Sequence, residues 1–306
     1  MPDDNLKSVV TGGTGFIGSH LVAELLRQGH EVHVVDNRVA GLKESRLHTG
    51  AIYHDADICN PDALKSIFAG ASYVFHTAAL PRLQFSIDHP HESHHVNVVG
   101  TFTVLLAARD AGVKKVIYSA SSSAYGDQPT MPLKESMQVD PKSPYGLQKY
   151  IGELNARMMS KIYNLPTVSL RYFNVYGPGG DVGGAYALLI PKFIARRLAG
   201  EPLVVYGDGE QTRDFTHVRD IVRANILAAE SPQVGKGEVI NIGAGHNVSI
   251  NRIAELIGGT VEHIEARLEP RDTLADNTLA KQLLGWEPQV TIEEGIAELK
   301  KLANLE

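Results

Sequence analysis

The sequence predicts an α/β fold, a doubly wound parallel sheet with a smaller C-terminal region woven into it. Three features carry that expectation. Apolar β-rich runs alternate with helix-period stretches, a glycine triplet joins the first run to its helix, and no linker, low-complexity tract or fixed repeat divides the 306 residues. The runs are KSVVTG at 7–12, EVHVVD at 31–36, SYVFHTA at 72–78, KKVIYSA at 114–120 and TVSLRYFN at 167–174. Between them, helix-period stretches are read at 16–28, where Ile17, Leu21 and Leu25 share one face, and at 92–111 and 145–162. Strands alternating with helices form a parallel sheet covered on both sides. After residue 174 the pattern loosens into a Gly/Pro-rich loop, a short helix near 188–199 and mixed segments. A chain of this length buries roughly three quarters of the surface that its unfolded form exposes, so a substantial core is available.

The first strand runs into TGGTGFIG at 11–18, with Gly12, Gly15 and Gly18 between a strand and an amphipathic helix. Gly12 permits the tight turn and Gly15 lets backbone amides approach a pyrophosphate. Gly18 lets the helix pack closely, and the helix N-terminus faces the phosphates. This context makes the sheet Rossmann-type. Asp36 ends the second strand, where a carboxylate binds ribose hydroxyls and repels a 2′-phosphate, which favours NAD over NADP; Arg38, two residues on, is the group that would tolerate a phosphate instead. Asp57 and Ile58 follow the next strand-like segment, where an adenine would be flanked.

The fourth of the named runs leads into SASSSAYGD at 119–127, and YGLQK follows at 145–149. Tyr145 and Lys149 stand at i and i+4, one turn apart on one helix face. A phenol with an ordinary pKa near 10 is a poor base at neutral pH. An ammonium one turn away, a cationic nicotinamide and a serine hydroxyl all favour the phenolate, which makes Tyr145 a proton acceptor. The spacing alone is a common coincidence; its position behind a nucleotide fingerprint and a serine cluster gives it weight.

Composition narrows the classes further. With 29 basic against 35 acidic residues the net charge is −6, the wrong sign for nucleic acid, and no apolar run approaches the roughly 18 residues of a membrane span. The single Cys59 forms no internal disulfide, and the N-terminal MPDDNLKSVV lacks the pattern of a signal peptide, so a cytoplasmic protein is expected. Residues 91–95, HESHH, satisfy a zinc-protease pattern with His91, Glu92 and His95, but the segment follows Pro90, opens a helix and has no third ligand marked nearby. No metal is expected.

Taken together, TGGTGFIG, Asp36, Asp57-Ile58, HTAA at 76–79, Asn97, SASSSAYGD, Tyr145 with Lys149, and RYFNVYGPG at 171–179 resemble the extended short-chain dehydrogenase/reductase family. The likeness runs from about residue 7 to 290 and is greatest to the UDP-hexose 4-epimerases, particularly those acting on UDP-N-acetylglucosamine. It implies NAD held by Gly12, Gly15, Phe16, Ile17 and Gly18 at the turn, by Asp36, Asn37, Asp57 and Ile58 at the adenosine end, and by Ala78, Asn97, Tyr145, Lys149 and Tyr172 toward the nicotinamide. Ser121, four residues before Tyr125, joins Tyr145 and Lys149 as the catalytic set, with Ser122 and Ser123 as sugar contacts and rivals for its place. Asn174 meets the nucleotide diphosphate, Arg213 grips it, and Arg267 with Glu269 assists, Arg271 being the alternative. Thr273, a small residue two before Ala275-Asp276, would admit an N-acetyl group at C2. The division implied is 1–174 with 214–242 for NAD and 175–213 with 243–306 for the nucleotide sugar.

The reaction this implies begins when Tyr145 removes the proton of the 4-hydroxyl while NAD takes hydride from C4. A 4-keto sugar turns over about its diphosphate tether, and hydride returns to the other face. Binding energy then belongs on the nucleotide and diphosphate, leaving the hexose free to turn. A dehydratase or decarboxylase of the same fold would need carboxyl groups where Ser122 and Ser123 stand; a uronate 4-epimerase shares the serine cluster; a non-catalytic NAD sensor would be expected to lose Tyr145 or Lys149. Apolar residues extend beyond one face of 92–111 (Val96, Val99, Val104, Ala107, Ala108) and of 145–162 (Ile151, Leu154, Met158, Met159, Ile162), and the family resemblance implies that such helices pair across a two-fold axis, so a homodimer is expected.

Overall fold

Each apolar run of the sequence is a strand, and each helix-period stretch covers the sheet that the strands make. The computed structural model describes residues 6–39, 41–81, 83–183, 188–266 and 271–305. The first half comprises β1 (Lys7–Thr11), α1 (Phe16–Arg27), β2 (Glu31–Asp36), β3 (Ile52–Asp55), α2 (Pro61–Phe68), β4 (Tyr73–His76), α3 (Leu83–Asp88), α4 (Pro90–His94), α5 (Thr101–Asp110), β5 (Lys115–Ser121), α6 (Pro144–Tyr163) and β6 (Thr167–Tyr172). The second half adds β7 (Val175–Tyr176), α7 (Leu189–Leu198), β8 (Leu203–Tyr206), β9 (Thr212–Arg213), β10 (Thr216–His217), α8 (Val218–Glu230), β11 (Lys236–Ile242), β12 (Val248–Ser249), α9 (Ile250–Ile257), β13 (Val261–Ile264), α10 (Thr278–Leu284) and α11 (Ile292–Leu302).

Seven strands form one parallel sheet in the order β11-β6-β5-β4-β1-β2-β3. Its central strands are buried on both faces, as the uniformly buried β6 shows, while the edge strand β3 has no buried residue. One apolar core packs α1, α8 and α10 on one face, with Leu21, Leu25, Ile221 and Leu284. The other packs α2, α5 and α6, with Leu64, Phe68, Leu105 and Met159. The strand order reverses between β1 and β4, and ligands of open α/β sheets bind beyond the C-terminal ends of the strands at such a point. A third core gathers α7, β8, α9 and α11 around Phe193, Val205, Ile253 and Ile296. The pairs β7–β10, β9–β12 and β8–β13 border it.

Four details differ from the sequence expectations. The stretch 92–111 is not one regular helix: α4 passes through a π-helical run, His95–Gly100, into α5, and the wider turn carries Asn97 inward. The edge strand β11 was not among the apolar runs read from the sequence, and it pairs with β6 across residues 173–235. Helix α10 and Trp286, expected with the second half, pack on the sheet's core because the buried indole donates from Nε1 to the Asp220 carbonyl of α8 (2.9 Å). Finally, Val104, Ala108 and Met159 are fully buried in the core; the apolar surface of those helices is Val99, Leu147, Leu154 and Ile162, exposed by 42–65%.

Candidate active site

The glycine turn shows why only hydrogen fits there. Gly12 has φ +73°, and a Cβ on it would lie 2.7 Å from the Ala78 backbone; one on Gly18 would overlap the Gly12 carbonyl oxygen. Gly15 caps α1 without a side chain, so the first amides of the helix open onto the cleft. That cleft has a volume of about 1730 Å³, above the roughly 300–1,000 Å³ of a single-ligand site, and is lined by residues of both halves of the chain.

At its adenosine end Asp36 lines the cleft. Its carboxylate accepts from the Thr14 amide (3.0 Å) and the Arg38 amide (2.8 Å), which fixes its orientation. Arg38 is not among the described residues that line the cleft. Asn37, Asp57 and Ile58 line the same end; Asn37 Nδ2 reaches Asp57 (3.4 Å), and Asp57 accepts from the Cys59 amide (2.8 Å). Phe16, Ile17 and Ala78 complete this wall.

Helix α6 is set by its start. Ser143 caps it, accepting from the Gly146 amide (3.1 Å), and Pro144 takes the first helical position. Tyr145 therefore stands at the mouth of the helix with its amide on Ser86 Oγ (3.0 Å), and Lys149 lies one turn deeper. Lys149 is buried and donates to the Ser119 carbonyl (2.8 Å), with its Nζ 6.0 Å from the centre of the Tyr145 ring. Burial pulls its ammonium down to about 8, against the raising effect of Glu153 one turn on. Glu153 is in turn held by two bonds from Arg171 (2.8 and 2.7 Å). Ser121 ends β5 and accepts from the Ser123 amide (3.2 Å) and hydroxyl (2.8 Å). Ser121, Ser122, Ser123, Tyr145, Lys149 and Tyr172 all line the cleft. The Tyr172 hydroxyl bonds Ser119 Oγ (3.1 Å) and Asn225, and burial lifts it to about 12.

At the other end Asn174 Nδ2 donates to the Asp214 carbonyl and to Thr273 Oγ1 (both 3.3 Å), and Thr273 Oγ1 also accepts from the Asp214 amide (3.2 Å). Arg213 Nη1 donates to the carbonyls of Thr212 (2.8 Å) and Arg271 (3.1 Å). Asn174, Arg213 and Thr273 line the cleft; Arg271 is exposed and paired with Asp208 (3.1 Å) outside it. Arg267 and Glu269 lie outside the described residues. Beside Asn174 and Arg213 opens a side pocket of about 260 Å³ lined by Tyr176, Leu189, Val204, Tyr206 and Phe215.

Asn97, expected near the cofactor, is 1% exposed: its Oδ1 accepts from the Leu80 amide (2.8 Å), and its Nδ2 donates to the Leu80 carbonyl (3.0 Å) and to Gln148 (2.8 Å). It holds the 78–80 wall from behind. Three other groups escaped the sequence reading. His76, kept neutral by burial with its pKa lowered to about 3, bridges Thr11 (2.7 Å) and Thr101 (2.9 Å). Asp214 gathers the amides of Ala244 (2.5 Å), Gly245 and Ala275 (both 3.0 Å), which positions Thr273. Asp181 closes the cleft mouth: it accepts from Lys43 (2.6 Å) and Arg46 (2.8 Å), while Arg46 also reaches the Gly179 carbonyl (2.7 Å) and His20 the Pro178 carbonyl (2.8 Å). Only HTAA and the basic residues after β2 hinted at these. His91 and His95 are exposed, and among the described residues no cluster of three His, Cys, Asp or Glu groups is placed to hold a metal ion.

Comparison with known proteins agrees with this geometry. Residues 8–243 match the NAD dependent epimerase/dehydratase family. A UDP-glucose 4-epimerase of Mycolicibacterium smegmatis is 36% identical over 96% of this chain and 97% of its own. A UDP-glucuronate 4-epimerase of Thermodesulfobacterium geofontis is 36% identical over 94% and 93%, and a UDP-N-acetyl-alpha-D-glucosaminuronate decarboxylase of Bacillus cytotoxicus 34% over 95% and 93%. Among solved structures, a UDP-glucose 4-epimerase of Thermotoga maritima with UDP-glucose superposes with a TM-score of 0.91 at 36% identity, covering 98% of each chain. A UDP-N-acetylglucosamine 4-epimerase of Methanobrevibacter ruminantium M1, in complex with UDP-N-acetylmuramic acid, does so with 0.91 at 37%, covering 98% and 99%. A UDP-glucuronic acid 4-epimerase of Bacillus cereus with UDP-glucuronic acid and NAD gives 0.86 at 30%, covering 98% and 99%.

Proposed function

Because this chain belongs to the NAD-dependent epimerase/dehydratase family, we propose that it interconverts UDP-N-acetylglucosamine and UDP-N-acetylgalactosamine at C4, with UDP-glucose and UDP-galactose as a second pair, through a transient 4-keto sugar. Its cofactor is NAD. The glycine cradle, the open N-terminus of α1 and the oriented Asp36 fit a dinucleotide bearing a free 2′-hydroxyl. Bound NAD supplies reversible hydride transfer at C4. Tyr145 takes and returns the proton of the 4-hydroxyl, Lys149 places a buried ammonium behind it, and Ser121 offers a hydroxyl to the same oxygen. Asn174 and Arg213 hold the diphosphate, and the 260 Å³ side pocket has the dimensions for the uracil ring.

The observation that carries this reading is the composition of the cleft wall after β5. Ser121, Ser122 and Ser123 face the site, and the carboxyl groups that would eliminate water or release a carboxylate are missing from those positions. A uronate 4-epimerase is the second reading, favoured by the same hydroxyls, which suit a carboxylate. For the C2 substituent, Thr273 is small and lines the cleft. A panel of UDP-sugars followed by NMR tests all of this: C4 epimers of the acetylated pair are expected, and exclusive turnover of UDP-glucuronate, or loss of water or CO₂, refutes the proposal. In Thr273→Tyr the acetylated pair loses activity by clash while UDP-glucose is largely spared. Equal loss for both classes would remove Thr273 from the site.

We further propose that the chain works as a homodimer joined through the exposed apolar face of α6 and the 95–110 region, and that Arg267 and Glu269 complete the diphosphate site.

A further inference from the structure

Among the described residues, the Lys and Arg side chains lining the cleft are Arg46, Lys142, Lys149, Lys192 and Arg213. Four have partners within the chain: Arg46 the carboxylate of Asp181, Lys142 that of Asp140 (2.5 Å), Lys149 the Ser119 carbonyl, and Arg213 the carbonyls of Thr212 and Arg271. Lys192 differs. Among the described residues, its Nζ has no hydrogen-bond or ion-pair partner. It is half-buried on α7, where Leu189, Lys192 and Phe193 form one face turned into the cleft. The residues lining the cleft from α7, β8 and β9 include no carboxylate, and the acids nearest in sequence on either side are already paired, Glu201 with Arg196 and Asp181 with Lys43 and Arg46. A half-buried lysine whose charge no described residue balances is matched by an anion that arrives with a ligand.

We propose that Lys192 is a second cation for the diphosphate of the nucleotide sugar, opposite the fixed Arg213; the proposal rests on the nucleotide-sugar reading above. The two groups suit different tasks. Arg213 Nη1 is pinned by two carbonyls, so its guanidinium presents a rigid fork. Lys192 carries three donors on a flexible stem and follows the phosphate oxygens as the hexose turns between its two faces.

Titration of the purified protein and its Lys192→Gln variant with uridine, UMP, UDP and UDP-glucuronate tests this. The dissociation constant for UDP is expected to rise roughly tenfold, with that for uridine unchanged, and Lys192→Arg to recover most of the loss. In turnover the variant's KM rises more than its kcat falls. An unchanged UDP affinity, an equal loss for uridine, or a loss confined to UDP-glucuronate, which would place Lys192 on a sugar carboxylate, each overturns the proposal. A wild-type protein that binds UDP no better than uridine overturns the nucleotide-sugar reading itself and this proposal with it.

Discussion

Tyr145 and Lys149 show how much a local spacing fixes. Lys149 is held by the Ser119 carbonyl and buried, so its position one turn behind the phenol is enforced by β5 as well as by α6. Since its pKa of about 8 lies above neutrality, it is cationic at pH 7, where its charge favours the phenolate it faces. Tyr145→Phe removes the proposed proton acceptor, a single hydroxyl of the cleft surface, and keeps the ring that α6 carries. The variant should retain bound NAD and lose kcat by a factor on the order of 10² to 10⁴; turnover at the wild-type rate would remove Tyr145 from the chemistry. Residues of this kind were legible in the sequence because i, i+3 and i+4 relations are decided within one turn. His76, Asp214 and Arg46 were not, since what they do depends on contacts with chain 25 to 135 residues away.

Among the elements, the segment 178–181 is tied to the segment after β2 through Asp181 with Lys43 and Arg46, and to α1 through His20 and the Pro178 carbonyl. In the epimerisation proposed above the dinucleotide stays in place through both half-reactions, and Arg46 and Asp181, which both line the cleft, are placed to retain it. The Arg46 side chain is only 8% exposed, so its pairing with Asp181 is less screened than a surface salt bridge. Asp181→Ala should therefore speed exchange of bound NAD on the order of tenfold, measured by isotope-labelled cofactor displacement, without changing which sugars react. An exchange rate equal to wild type would reduce that pairing to a loop contact. The alternation that predicted the sheet could not reveal this meeting of two loops, nor the π-helical run that carries Asn97 inward. Periodicity reports which face of an element is apolar and is silent on a one-residue widening of a turn.

At the scale of the whole molecule, the sheet and its two coverings were legible because buried parallel strands read as continuous apolar runs. The smaller half was not, being assembled from two-residue strand pairs whose partners stand far apart in sequence. The proposed assembly with a second copy rests on what stays uncovered. Val99, Leu154 and Ile162 leave apolar surface on the helices that flank the active-site face. Light scattering should give twice the mass of one chain, and Leu154→Asp should shift it toward one; an unchanged wild-type monomer would rule the pairing out.

The position of β11 reaches further than topology. Because it completes the sheet only after residues 173–235 have been made, a chain leaving the ribosome presents β6 as an open hydrogen-bonding edge while the sugar-binding segment is still emerging. The dinucleotide half, first in sequence, is thus closed only after much of the smaller half has been made. Over that interval the open edge of β6 is where pairing with another chain would begin.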